Sequence, residues 1–408
     1  MLKNLVNRAM GRYRGHPEAI IVSCFFNPMN SPYRVKAFEE FYRSIKHLPH
    51  KIVECVIGNG IPHLSHHRKD IELIQTESLL WHKEALLNQI IAKLPRKYKY
   101  VMWVDADVIF TNKDWVPEAV KILQTESLVQ LFEYCVHLDK DEKRPSFDFE
   151  REKRYVSSAL LRHPKVWKSF GSNVRSGGHS INNYDIHGHV GFAWGARREV
   201  LAECPLYDKA LIGGADHIIA HASMGEWSHP CIVKAFEDDI KPIEEWGRKF
   251  YRAVKGHVGF VSGDLYHIWH GDIERREYLK RIQDFTIEAK KITEKDKNGL
   301  YTVKKPIPYM EEYYKNREVI NKKGQHAPKK ASVTPKKATR SRRTNSGGGS
   351  IKGTGTTVHN HVDNNDGFLM GYVYGSILTA PSETQHHHND KCDHNNDGIP
   401  DNGSGNFS

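Results

Sequence analysis

Long apolar runs are missing from this chain of 408 residues: none approaches the roughly 18–20 consecutive apolar residues that span a bilayer. The first 15 residues, MLKNLVNRAMGRYRG, also lack the apolar stretch and small-residue cleavage site of a secretory signal. Together these absences lead to the expectation of a soluble, cytoplasmic protein with no transmembrane segment. Paired cysteines are missing too. Cys24, Cys55, Cys135, Cys204, Cys231 and Cys392 are scattered with no C-x-x-C, and most sit beside apolar residues as small buried hydrophobes do, which suits a reducing compartment. Acidic residues are absent from 321–350, where six Lys and three Arg give +9 of the net +11. Residues 351–408 carry −5 and residues 1–320 carry +7, so most of the positive excess is local.

What is present up to about residue 320 is an alternation of apolar runs with helix-period segments, the pattern of an α/β protein. IIVSCFF (20–26), ending in Asn27-Pro28, and IVECVIGNG (52–60) are expected to be buried strands followed by turns. Between them, 35–45 aligns Val35, Phe38, Phe41, Tyr42 and Ile45 on one helical stripe, and a strand–helix–strand order with this crossover predicts parallel pairing. ESLLWHKEALLNQIIAKL (77–94) predicts a second helix stopped by Pro95, leading into a third strand, YVMWVDADVIF (100–110). From Asn321 the composition becomes that of a flexible basic linker (321–350), a solvated spacer or a patch for nucleic acid or an anionic surface. The tail (351–408) holds a short apolar segment, 367–378, a run of histidines at 386–388, and DHNNDGIPD (393–401). The last has the alternating oxygens of a calcium loop but Ser rather than Glu at residue 404, so a polar tail is the better expectation.

In Asp105-Ala106-Asp107 two carboxylates at i and i+2 are expected on one face at the end of an apolar strand. Paired carboxylates repel unless a cation lies between them, and hard oxygen ligands favour Mg²⁺, Mn²⁺ or Ca²⁺. Gly213-Gly214-Ala215-Asp216 permits close backbone approach before a helix starting near Asp216, which is either an N-cap or a general base facing an acceptor hydroxyl. His267 and His270, three apart beside Tyr266 and Trp269, could add nitrogen ligands and tilt the choice toward Mn²⁺. Lys83, Arg276 and Arg281 are candidate phosphate partners or salt bridges, and Asn27 and Glu54 are expected near a ligand at the carboxyl ends of the strands. Trp194 and Trp269 could stack on a sugar, although buried core is the commoner fate of Trp in an apolar run.

These blocks in this order resemble the metal-dependent glycosyltransferases of the GT-A fold, and more narrowly a microbial and viral group within them. The matching pieces are Phe26-Asn27-Pro28, Trp81-His-Lys83-Glu84, Trp103-Val-Asp105-Ala-Asp107, Val129-Gln-Leu-Phe132 and Gly191-Phe-Ala-Trp194. They continue as Gly213-Gly-Ala-Asp216-His217, His267-Ile-Trp-His270-Gly271 and Arg276-Glu-Tyr278-Leu-Lys-Arg281, over roughly residues 18–320. The resemblance implies one GT-A domain over 18–320, a mixed sheet flanked by helices, preceded by an extension (1–17) and followed by the linker and tail. It implies Mn²⁺ or Mg²⁺ held by Asp105, Asp107 and His270, with His267 where a related galactosyltransferase family uses Met. It also implies a nucleotide-sugar donor bound near Asn27, Glu54, Lys83, Asp105, Gly191 and Arg276. A glycan, protein or small-molecule acceptor would lie near Trp194, Gly214 and Trp269, with Asp216 as base and inversion as the outcome. Ala215 stands where such enzymes have Glu, so a contact made by that Glu is missing. A metal-dependent nuclease or phosphotransferase, or a binding protein that has lost turnover, remain the alternatives.

Overall fold

A computed structural model describes residues 12–65, 68–142, 154–161, 187–236, 240–271, 293–304 and 308–318. The chain divides after Ala331 into two units, and every described residue lies in the first. Arg276, Arg281, the linker, the apolar segment 367–378, His386–His388, the 393–401 loop and Cys392 all lie outside the described residues.

Strand β1 (Ala19–Phe26), helix α1 (Pro32–Ile45) and β2 (His50–Ile57) form the expected crossover, and β1 pairs with β2 in parallel. Continuous burial along β1 follows from cover on both faces: Ile20 and Val22 enter one core cluster, Ala19, Ile21 and Phe25 the other. Pro32 suits the first turn of α1, and Phe38, Phe41 and Ile45 lie beneath it fully buried, each contributing about 1.5–3 kcal/mol of burial. Strand β3 (Ile71–Thr76) joins β2 in parallel, and α2 (Lys83–Lys93) leads to β4 (Tyr100–Val104).

Two sequence expectations change here. The helix expected from residue 77 starts only at Lys83, because residues 78–82 are drawn into a lead-in where the Trp81 amide donates to the Leu211 carbonyl at 2.7 Å. The single strand expected over 100–110 is two strands, β4 and β5 (Val108–Phe110), in different sheets, with Asp105-Ala106-Asp107 as the turn between them.

After α3 (Trp115–Ile122) come β6 (Leu128–Gln130), β7 (Tyr134–His137), β8 (Arg154–Val156), β9 (Ala193–Arg197), α4 (Arg198–Glu203), α5 (Ala215–Ser223), α6 (Pro230–Ala235), α7 (Ile240–Val254), β10 (Val258–Phe260) and β11 (Asp264–His267). The main sheet runs β10-β6-β9-β4-β1-β2-β3; its β4-β1-β2-β3 half is parallel and β9 is antiparallel to both of its neighbours. A four-stranded sheet runs β5-β11-β7-β8, and a hairpin, β12 (Thr293–Lys295) with β13 (Tyr301–Val303), precedes α8 (Pro308–Glu318). The architecture is thus a mixed α/β fold, a mixed sheet flanked by helices. No helix among the described residues is long and apolar enough to cross a membrane.

Candidate functional site

The turn joining the two sheets sends its carboxylates to different partners. Asp105 leaves the end of β4, its amide donating to the Phe192 carbonyl at 2.7 Å, and its Oδ1 accepts from Lys83 Nζ at 2.8 Å. Asp107 precedes β5, and its Oδ2 lies 2.9 Å from His270 Nε2 and 3.8 Å from His267 Nε2. Asp105 thus meets a lysine and Asp107 the two imidazoles.

Lys83 is the centre of the first group. It sits in the first turn of α2, buried, and donates to Asp216 at 3.0 and 3.2 Å as well as to Asp105. That geometry sets aside the helix-surface salt bridge. Burial works against the ammonium, but Asp105, Asp216 and the buried Glu84 outweigh it and hold the Lys83 pKa well above its ordinary value. Burial also pushes the Asp105 carboxyl up to about 7, against the pull of Lys83 and reinforced by Asp216 and Asp107.

Asp216 occupies the first turn of α5 rather than its cap, which is Gly214. Gly213 and Gly214 take φ of 92° and 97°, a left-handed pair that a side chain would strain, and this turn aims Asp216 back at Lys83. Gly191 stands alongside: a Cβ there would come within 3.6 Å of Asp216 Oδ2, so the missing side chain leaves that carboxylate approachable. Its neighbour Phe192 has φ of 75°, an outlier for a bulky residue, and its ring is stacked between His189 (4.3 Å) and His267 (4.8 Å).

The second group has the chemistry of a divalent-cation site. One carboxylate oxygen and two imidazole nitrogens from Asp107, His267 and His270 lie within 4.8 Å of one another, and both imidazoles are buried. Their separations of 2.9, 3.2 and 3.8 Å bracket the spacing of about 3 Å between adjacent ligands of a six-coordinate ion of magnesium size. His267 Nδ1 lies 3.1 Å from His137 Nδ1, a contact that orients the ring with Nε2 toward Asp107 and His270, as second-sphere partners of metal-binding histidines do. Mixed nitrogen and oxygen donors suit Mn²⁺.

Three other candidate residues are engaged within the fold. Asn27 is taken up by the turn into α1, exchanging two hydrogen bonds with the Ser31 backbone at 2.9 and 3.0 Å. Glu54 is buried and accepts from the amides of His63, Leu64 and Ser65 and from the Ser65 hydroxyl, so it fixes that loop instead of facing a ligand. Trp194 is 1% exposed, opposite Trp103 in the β4–β9 pair, and offers no stacking face. Trp269 is half-buried, set edge-on to Tyr33 at 5.0 Å, with Lys140 Nζ 5.7 Å from its ring. His137 and His189 were not anticipated. Nothing near His137 in the sequence marks it, whereas His189, two residues before Gly191, could have been found.

No protein-family model matches this chain, and no curated protein does. Among solved structures it is similar to glucosyl-3-phosphoglycerate synthase from Mycobacterium tuberculosis in complex with Mn²⁺, UDP and phosphoglyceric acid, at 14% identity and TM-score 0.30, over 65% of this chain and 74% of that one. Another structure of that synthase gives 13% and 0.33 over 70% and 83%, and a mycobacterial protein gives 15% and 0.33 over 72% and 83%. Superpositions this loose establish no residue correspondence.

Proposed function

We propose that the chain is a metal-dependent glycosyltransferase of the GT-A type, moving a sugar from a nucleotide-sugar donor to an acceptor hydroxyl with inversion. The observation that carries this reading is a continuous line of groups: Asp216, Lys83 and Asp105 linked at 2.8–3.0 Å, then Asp107 with His270 at 2.9 Å. These groups lie at the end of strand β4, where ligands of open α/β sheets gather, which supports reading Asp216 as the proton acceptor and Asp107 with the two imidazoles as the cation site.

Asp107, His267 and His270 would hold the cation, Mn²⁺ or Mg²⁺, with Asp105 beside them. The cation, when bound, supplies Lewis-acid neutralisation of the charge that builds on the departing nucleoside diphosphate. Asp216 takes the proton of the acceptor hydroxyl as that oxygen attacks the anomeric carbon from the face opposite the leaving group. Lys83 orients this carboxylate through its ion pair at 3.0 Å. Gly191 leaves the carboxylate open, and Trp269 with Tyr33 offers an aromatic wall for a sugar ring. Arg276 belongs to this proposal only as a donor-phosphate partner inferred from the sequence.

The test is release of nucleoside diphosphate from a panel of nucleotide-sugars with Mn²⁺. One donor should be turned over, with activity abolished by EDTA and by Asp107→Ala and reduced at least 100-fold by Asp216→Asn, the span of general-base catalysis. No release from any donor, together with no thermal protection by any donor plus Mn²⁺, would sink the proposal.

A further inference from the structure

A second cluster of metal-ligating side chains lies on α5 itself, outside the carboxylate site. His217 and His221 are four residues apart and share one face of the helix. Facing them are Cys231, in the first turn of α6, and His187, just ahead of the Ser157–His189 bridge. All four are buried, and one ligand atom from each lies within 4.8 Å of the others. We propose that His187, His217, His221 and Cys231 form a structural Zn²⁺ site that ties α5, α6 and the 187–189 segment together.

The distances fit a tetrahedron. His217 Nε2 lies 3.2 Å from Cys231 Sγ, His221 Nε2 lies 3.5 Å from the same sulfur, and His221 Nε2 lies 3.2 Å from His187 Nδ1. Zinc bonds of about 2.3 Å to sulfur and 2.0–2.1 Å to nitrogen place tetrahedral ligands about 3.3–3.6 Å apart. Proton accounting points the same way. His221 Nδ1 lies 3.0 Å from Glu226 Oε2, an acceptor, so a neutral His221 ring carries its proton on Nδ1 and turns the Nε2 lone pair into the cluster. His229 Nδ1 accepts from the Cys231 amide at 3.3 Å and also faces Sγ, at 3.0 Å. The Glu226–His221 contact is the carboxylate–histidine arrangement that orients zinc ligands.

A thiolate with three imidazoles selects zinc over the hard ions suited to the Asp107 group. Four protein ligands close the coordination shell, so the ion holds structure and binds no substrate. Its position gives it a use: His217 follows Asp216 directly, so anchoring this helix fixes the direction of the Asp216 side chain. The inference stands whether or not the transferase reading does.

The experiment uses the full chain produced with added zinc, its metal content measured by elemental analysis, and Co²⁺ exchanged into the site. One zinc per chain that survives dialysis is expected, and the cobalt form should show a thiolate-to-metal band that persists in Cys135→Ser and disappears in Cys231→Ser. Glu226→Gln, a mild change that leaves all four ligands, should weaken zinc affinity about 10–100-fold. Stripping zinc should lower the melting temperature, with Zn²⁺ but not Mg²⁺ restoring it. Wild-type chain that holds no zinc, shows no cobalt–thiolate band and gains no thermal stability from Zn²⁺ would overturn the site, as would a band that survives in Cys231→Ser.

Discussion

Replacing Lys83 by Met removes the ammonium between Asp105 and Asp216 while keeping the length of the side chain. Each contact, near 3 Å, carries a gross attraction of about 5–6 kcal/mol at an effective dielectric constant of 20. Most of that is offset by the cost of burying the ammonium, and removing one partner of a buried ionic group costs about 3–5 kcal/mol net. The carboxylate side chains are 28% and 23% exposed, so water relieves part of their repulsion and the low end, about 3 kcal/mol, applies. Urea unfolding of wild type and Lys83→Met at pH 7, followed by tryptophan fluorescence, measures this against a total stability of about 5–15 kcal/mol. Adding Asp216→Asn to Lys83→Met should recover at least half of the loss, because the stranded Asp216 charge is gone. At pH 5 the loss should shrink as well, since the Asp105 carboxyl, pushed up to about 7 by burial, is then protonated. A loss under about 1 kcal/mol, or a double variant no more stable than the single one, would refute the reasoning.

Glu84 tests the same electrostatics through pH. Burial pushes its carboxyl up to about 8, with Lys83 opposing and Asp216 adding to the rise. The native state therefore holds a proton that the unfolded chain releases above about 4.5, and stability should fall as pH rises from there to about 8, by at most about 1.4 kcal/mol per pH unit for one proton; Glu84→Gln should flatten that slope in urea titrations run across the window. Trp194→Ala should cost about 3–5 kcal/mol, as loss of a buried core ring does, whereas Trp269→Ala should leave stability within about 1 kcal/mol and raise KM for the sugar acceptor. Glu54→Gln removes the charge that the 63–65 amides converge on, and hydrogen exchange at those amides should accelerate at least tenfold.

The first half of the sheet was legible because its signals are local. Apolar runs of strand length, with a periodic helix between them, lead to parallel pairing by rules of crossover geometry, and β1, α1 and β2 follow them. The break at Asp105-Ala106-Asp107 was hidden because apolar residues continue on both sides, so hydrophobicity alone reads through the turn. Lys83, Asp105, Asp107, Asp216, His267 and His270 were each identifiable as polar residues at element boundaries. That Lys83 separates the two aspartates was not, since it depends on side-chain directions set by a contact across 133 residues. The zinc cluster shows the same limit. The spacing of His217 and His221 within HIIAH is visible, but it reads as an apolar helix until His187 and Cys231 arrive from 30 residues before and 10 after.

The turn at 105–107 is also the link by which β4 of the main sheet passes directly into β5 of the smaller one. Asp105 is fastened through Lys83 to helices packed on the main sheet, and Asp107 is fastened through His270 to the end of β11 in the smaller one. Any sliding of one sheet over the other is registered as a change in the distance between these two carboxylates. A ligand that touched both carboxylates would therefore bridge the two sheets across a single turn.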